Sequence, residues 1–393
     1  MSFSLLLKSL LRRKVVTVLL LIQLALTLAL LTNSAVLAWQ ARQLANQATG
    51  LQLDQVLQVR LKPTLPELRK QPALDELIER QLAAIRAVPG VQAASWSNQS
   101  PLVFGGMNGN IFVPDQQETT DVGMVPVQIN GIAVKEVLDL QLLQGRWLEE
   151  TDQGTDALVI SDKLAKRLFG EQSPVGQAVS RGTVVGVVAD VFMQRYADDQ
   201  YYASYSYYSL PGADYGYQLL VKTAPGQLDQ VRQQLPQVLR GVELETDIST
   251  IQSFRELHQT LFRSESGLAT LLAVLSALML LVAMISAYSH ALFHGVQQQK
   301  EIGIKRALGA SRPRIMLEVL TESWLTTLTG AAAGMLLALL LQQQLAKVLS
   351  MPALPWFLLP ASLVLLLLCV SLATWYPAHL ATRVSPATAT KTL

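Results

Sequence analysis

The chain has 393 residues, half of them hydrophobic and 15% charged, with a formal net charge of +2. That is too apolar for an ordinary soluble domain and too charged for membrane spans alone, so both kinds of segment are expected. The near-neutral balance gives no footing for nucleic acid, and a single cysteine, Cys369, excludes an internal disulfide and a cysteine-based metal site.

In chain order, residues 1–14 place Phe3, Leu6, Leu7, Leu10 and Leu11 on one helical stripe with Lys8 and Arg12 off it. That pattern suits an amphipathic helix lying in the membrane interface. A helix needs about 20 apolar residues to cross the hydrocarbon core, and the segments 15–38, 267–294, 315–341 and 356–376 meet that requirement. The first is read as a retained anchor. Its apolar run is long, no small-x-small cleavage site follows, and Trp39 stands at its edge. The third carries Glu318, Thr321 and Glu322, but 325–341 holds no charge.

Residues 39–266 have mixed helix and strand character and form one large domain, with two subdomains expected. Helices are predicted over 74–88, 162–169, 227–239 and 252–262, and strands over 91–96, 125–129, 183–191, 219–223 and 242–247. No nucleophile motif or metalloprotease motif occurs, and the only histidine in the domain is His258. The acidic pairs Glu149–Glu150 and Asp198–Asp199 read better as solvated turns than as a general acid and base. Eight of the ten tyrosines fall between Tyr196 and Tyr217. Tyr201, Tyr202, Tyr205, Tyr207 and Tyr208 suit either strand packing or a contact surface for a partner or an amphiphilic substrate, since tyrosine joins an apolar face to a polar tip.

Lys and Arg cluster in the N-terminal segment (Lys8, Arg12, Arg13, Lys14), between the second and third spans (Lys300, Lys305, Arg306, Arg312, Arg314) and in the tail 377–393 (Arg383, Lys391). The loop 342–355 has only Lys347, and the large domain is acidic on balance. The positive-inside rule therefore places both termini and 295–311 in the cytoplasm and the large domain outside. The expected fold class is an α-helical membrane protein with four transmembrane helices plus a large α+β extracytoplasmic domain inserted between helices 1 and 2.

The segment 295–311 contains Lys300, Glu301, Ile302, Gly303, Ile304, Lys305, Arg306, Ala307, Leu308, Gly309, Ala310 and Ser311. On a helix, Gly303, Ile304, Ala307 and Leu308 share a face with the Lys300 stem, and Ile302 lies roughly opposite. Gly309 is placed to end the helix and Ser311 and Pro313 to start the next. Apolar character on two sides lets such a helix touch both its own bundle and a second protein. In the third span Gly330 and Gly334 form G-x-x-x-G, which permits close helix approach.

The run from Glu301 to Ala310 resembles the EIGxxRALGA signature of FtsX-like permeases. Tyr376-Pro377-Ala378 and Ser385-Pro386-Ala387 loosely resemble that family's tail, with His379 and Thr388 replacing the usual basic and acidic residues. In the outer domain, LLQGRW ending at Trp147, the run from Val159 to Gly170, Pro174-Val175-Gly176 and the run from Val184 to Asp190 resemble the MacB-type periplasmic core domain.

The resemblance implies a MacB/FtsX-like ABC transporter permease of the inner membrane, dimeric with an identical or paralogous second permease. In that family, residues 300–309 would be the coupling helix that docks on the ATPase, and movement rather than conduction would carry the work. No G-x-x-x-x-G-K-[ST] loop occurs, so this chain would bind no cofactor, and ATP and Mg would sit on a partner ATPase. Expected partners are ABC ATPase subunits, the second permease, the lipid bilayer, and a periplasmic adaptor with an outer-membrane channel. The implied activity is efflux of antibiotics, peptides or other amphiphiles. Lol-like lipoprotein release and FtsX-like regulation of cell-wall hydrolases are the alternatives, with a sensor lacking any ATPase disfavoured by the coupling signature.

Overall fold

The computed structural model describes residues 14–383 except 104–107, 124, 127–128, 130, 195–198, 211 and 350–354, and of 14–17, 44–45, 126, 264–265 and 345–349 the backbone only. Residues 1–13 of the interfacial helix expected over 1–14, Tyr196, Asp198, the tail after Arg383 and part of the loop 342–355 lie outside the described residues. Two compact units divide the chain: Met1–Asn46 with Arg263–Leu393, and Gln47–Phe262.

The first unit holds α1 (Lys14–Ala45), α8 (Arg263–Gln297), the short α9 (Gln299–Ala307), α10 (Arg312–Leu349) and α11 (Leu358–Ala381). Four of these contain stretches long and apolar enough to cross a membrane: Val18–Gln43, Ser266–Gln297, Arg312–Gln344 and Leu358–Ala381. Half of the α1 span is buried but only 17% of the α8 span, so α1 is the central helix and α8 presents most of its surface outward. Leu20, Leu24 and Leu28 of α1 pack with Ala283 and Ala287 of α8, Ala331 of α10, and Leu366 and Val370 of α11.

Lipid is as apolar as leucine, so close van der Waals fit and hydrogen bonds must hold such helices together. Both are visible. A Cβ on Gly330 would come within 2.9 Å of Leu24 Cβ, and one on Gly334 within 2.7 Å of the Ala25 carbonyl oxygen. The G-x-x-x-G pair is thus where α10 lies against α1. Asn33 Nδ2 donates across to the Ala338 carbonyl at 3.3 Å, and Ser276 donates to Ser34 at 3.0 Å. Thr27 instead donates to Gln23 O on its own helix, so the polar residues of α1 do not all bond between helices.

The second unit contains the remaining elements: β1 (Val56–Pro63), α2 (Ala73–Arg86), β2 (Val91–Ser97), β3 (Asn108–Gly109), α3 (Gln117–Thr120), β4 (Val125–Pro126), α4 (Val134–Leu138), β5 (Leu142–Gly145), β6 (Ala157–Ser161), α5 (Asp162–Phe169), β7 (Ala178–Val179), β8 (Gly182–Val188), β9 (Ser204–Tyr205), β10 (Tyr217–Thr223), α6 (Leu228–Val242), β11 (Thr246–Ser253) and α7 (Phe254–Leu261). One sheet has the order β11-β1-β10-β2 and is antiparallel throughout. Leu57, Val59 and Leu61 of β1 meet Leu74, Ile78 and Leu82 of α2 and Val231, Leu235 and Leu239 of α6 in its core.

A second sheet runs β5-β8-β6-β9, with β7 on β8, and β3 pairs with β4 in a two-stranded antiparallel sheet. The parallel pair β6 and β8 of the second sheet is bridged by α5, and Leu158, Ile160, Leu164, Leu168, Val184 and Val187 form its core. Asp162 and Lys166 pair one turn apart at 2.6 Å on α5, and Gly170 ends it at φ +62. In chain order this subdomain lies between β2 and β10, so the first sheet closes only after it. β1, β3, β5, β6, β7 and β9 are strands beyond those predicted, and the strand expected over 242–247 begins instead at Thr246, where pairing with β1 starts.

Candidate functional site

The short helix α9 is placed by three attachments within the membrane unit. Ile302 is buried with Ile315 of α10 and Ala381 of α11. Lys305 Nζ reaches Glu318 of α10 at 2.7 Å, and Arg306 donates to the Thr382 carbonyl at 3.1 Å. The helix is closed by a Schellman arrangement: Ala310 N donates to Lys305 O at 3.0 Å and Gly309 N to Arg306 O at 3.1 Å. Gly309 stands at φ +92 with nothing near a prospective Cβ, so it is required by backbone conformation and not by crowding.

The opposite face is open. Ile304 is 57% exposed and Leu308 84%, with Lys300, Glu301 and Ala307 also on the surface. Of the apolar face drawn from helical spacing, Ile304, Ala307 and Leu308 stay together outside. Gly303 departs from it: it is buried beside Ile302, because the anchoring partners come from α10 and α11. Beside this face a crevice of about 550 Å³ is lined by Lys305, Leu308, Gly309, Arg314, Glu318 and Thr321. An exposed apolar strip with basic flanks is the chemistry of a docking element.

A turn away from α9, His294 of α8 lies 3.3 Å from Glu322 of α10, both largely buried. His290 stacks on His294 with ring centroids 6.0 Å apart. They border a cavity of about 20 Å³, room for one water, with Ser323, Thr326 and Thr327. Glu318 and Glu322 stand out in the sequence as charges inside a span. The two histidines do not, and their spacing of four along one apolar helix is the only signal for them.

The tyrosines do not form one surface. Tyr205 is fully buried in β9, 5.5 Å from the Trp147 ring, and Tyr202 is 8% exposed in the same subdomain core. Neither can meet a partner, which corrects the contact-surface reading for both: pairing of Val159 with Tyr205 carries β9 into the sheet. Burial pushes the Tyr205 hydroxyl well above the usual phenol range. Tyr201 is half-buried; its hydroxyl accepts from Gln47 at 2.7 Å and donates to Ala48 O at 3.1 Å, while Lys163 Nζ sits 3.8 Å from its ring centre. Tyr207 and Tyr208 are half-buried, and Tyr215, 98% exposed, faces outward.

The family-like motifs of the domain have structural explanations. A Cβ on Gly145 would fall 2.2 Å from Val185 O. Arg146 forks onto Asp152 at 2.6 and 2.8 Å, and Trp147 Nε1 donates to Ile132 O at 2.9 Å. Asp152 also closes a capping box with Glu149, so Glu149 is a capping residue, not half of an acid–base pair. Among the described residues no group of three or more His, Cys, Asp or Glu is placed to hold a metal ion.

Four spanning helices, an α+β domain inserted after the first, and a short basic helix between the second and third define a multi-pass membrane protein. The MacB-like periplasmic core domain model matches residues 17–238, and the FtsX-like permease C-terminal model matches residues 273–386. The chain belongs to the MacB/FtsX-like family of ABC transporter permeases. Among curated relatives, a macrolide export ATP-binding/permease protein MacB from Bdellovibrio bacteriovorus is 25% identical over 78% of this chain and 48% of its own length. The pyoverdine export ATP-binding/permease protein PvdT of Pseudomonas aeruginosa is 26% identical over 66% of this chain and 39% of its own. The uncharacterized ABC transporter permease YknZ of Bacillus subtilis is 24% identical over 52% of this chain and 55% of its own. This chain therefore spans about half, or less, of the relatives it matches. The periplasmic region of MacB from Actinobacillus actinomycetemcomitans superposes with a TM-score of 0.36 at 17% identity, over 56% of this chain and 97% of that one.

Proposed function

We propose that this chain is the membrane subunit of an inner-membrane ABC transporter, gripped by a separate ATPase at α9 and exporting amphiphilic compounds by movement of its outer domain. The observation that carries the reading is the two-faced α9. Its inner face is tied to α10 and α11 through Ile302, Lys305 and Arg306, while Ile304 and Leu308 remain exposed. A helix pinned on one side and apolar on the other transmits a push without bending away. Lys300, Lys305, Arg306, Arg312 and Arg314 around it support a cytoplasmic position for α9 and, with it, a periplasmic one for Gln47–Phe262. The export of macrolides and pyoverdine named for the relatives supports an amphiphilic substrate, taken onward by an adaptor and outer-membrane channel.

In the test, tagged full-length chain is purified from its native membranes and its co-purifying ATP-binding subunit quantified. The double substitution Ile304→Asp, Leu308→Asp should lower recovery of that subunit about tenfold, in line with loss of two central apolar contacts, with unchanged helical content. Equal recovery would defeat the docking assignment. If the ATPase binds but no amphiphile is exported and cell-wall hydrolysis changes, the FtsX-like regulatory reading stands instead.

A further inference from the structure

One buried titratable side chain belongs to none of this machinery. His258 lies on α7 and is 6% exposed. Its ring meets Phe262 at 5.0 Å and Phe192 at 6.5 Å, and Phe192 also contacts Phe262 at 6.2 Å and Tyr201 at 5.9 Å. Nε2 is buried with no hydrogen-bond partner among the described residues. The facing segment is itself fixed, since Phe192 N donates to Thr49 O at 2.7 Å and Met193 N to Gln200 O at 2.8 Å.

A neutral imidazole tolerates an aromatic box; an imidazolium needs acceptors or water. The described acidic groups on the surrounding elements are each already engaged, Asp199 among them with Lys163 and Tyr201 N. On its own helix Arg255 is a cation and Glu256 is held by Arg232 and Ser253 N. Asp54, before β1, is forked onto Arg255, and Asp190, beside the 191–194 segment, accepts from Lys163 N. On the far side of Phe192, Lys163 adds a second cation and the Tyr201 hydroxyl is engaged with Gln47 and Ala48. Burial, and then the Arg255 charge, hold His258 below its usual 6.5.

We propose that His258 is a proton-operated latch. Neutral, it seats α7 against residues 191–194; taking one proton from the bathing solution onto Nε2, it no longer fits the box and α7 lifts away. The sign follows from linkage. A base whose folded pKa is depressed favours the seated state fully above 6.5, and that preference is lost as pH falls through the lower folded value. Because α7 ends at Leu261 and α8 begins at Arg263, release acts on the chain at the root of a span.

Hydrogen exchange of the full chain in lipid nanodiscs between pH 7.5 and 5 tests this, read as protection factors for residues 254–262. Protection in the wild type should fall by up to about tenfold per pH unit below 6.5 until the imidazole itself titrates, while His258→Phe stays flat. Parallel pH profiles in the two proteins, or a flat wild-type profile, would overturn the latch. Should His258→Phe not fold, NMR titration of the four labelled histidines in the wild type decides. A His258 resonance titrating at 6.5 or above sinks the proposal; one titrating clearly below supports it.

Discussion

The membrane unit and the inserted domain are held together by different means. Between α1 and α10 the decisive positions are two glycines, where a single added carbon would sit under 3 Å from the neighbouring helix. In the domain the decisive positions are large: Tyr205, Phe192 and Phe254 are among the biggest fully buried side chains. In lipid, exclusion of water is unavailable as a force between helices, so proximity is achieved by removing side chains. In water, burying apolar area is the main source of stability, so bulk is added. Sensitivity to substitution should follow this division.

The largest effect is expected at Tyr205. Removing its ring leaves a cavity against Trp147, and Tyr205→Ala should destabilise the domain by about 3–5 kcal/mol, seen as an earlier denaturant transition of the domain with the membrane helices unaffected. A shift confined to a few tenths would mean the β9 core collapses freely. Next is Gly334→Leu, an overpacking change that should cost about 3 kcal/mol and lower the thermal midpoint of the detergent-solubilised bundle while sparing the domain transition. Equal sensitivity of both transitions would break the division drawn above. The smallest is Asp152→Asn. Arg146, and secondarily the Glu149 N–H, hold the Asp152 carboxyl below the usual carboxylate range against the opposing effect of burial. Its contribution is present above about pH 4 and is lost as pH falls through the lower folded value. The half-exposed Arg146 limits it to about 1 kcal/mol. Wild type and variant should therefore differ at pH 6 and converge toward pH 2 in chemical unfolding.

The two regions also differ in how much the sequence discloses. Spans are local: an apolar run of sufficient length is a membrane helix whatever its neighbours, and α5 and α9 announce themselves by the glycines at 170 and 309. The first sheet is not local. β1 reads VLQVRLKP, with two charges and a terminal proline, and becomes a strand only because Tyr217–Thr223 and Thr246–Ser253 pair on either side of it. The same pairing moves the last strand toward Ser253. Facing was legible only in part. Helical spacing groups Ile304, Ala307 and Leu308, but which face is covered depends on Ile315 in the next helix and on Ala381, far along the chain. A run of tyrosines gives no sign of which ring faces inward; Tyr205 does so because Val159 lies opposite it in register.

The central place of α1 has a consequence for biogenesis. The helix that the other three surround is the one the ribosome makes first, yet its closest neighbour across Gly330 and Gly334 emerges some 300 residues later. In the interval Asn33, whose amide ends up on the Ala338 carbonyl, has no interhelical acceptor from that strand of the bundle. The inserted domain can complete its own fold meanwhile, as domains do during synthesis. Nascent chains arrested before α10 should accordingly display a finished outer domain on an anchor covered by α8 alone, the species that membrane quality control would have to tolerate.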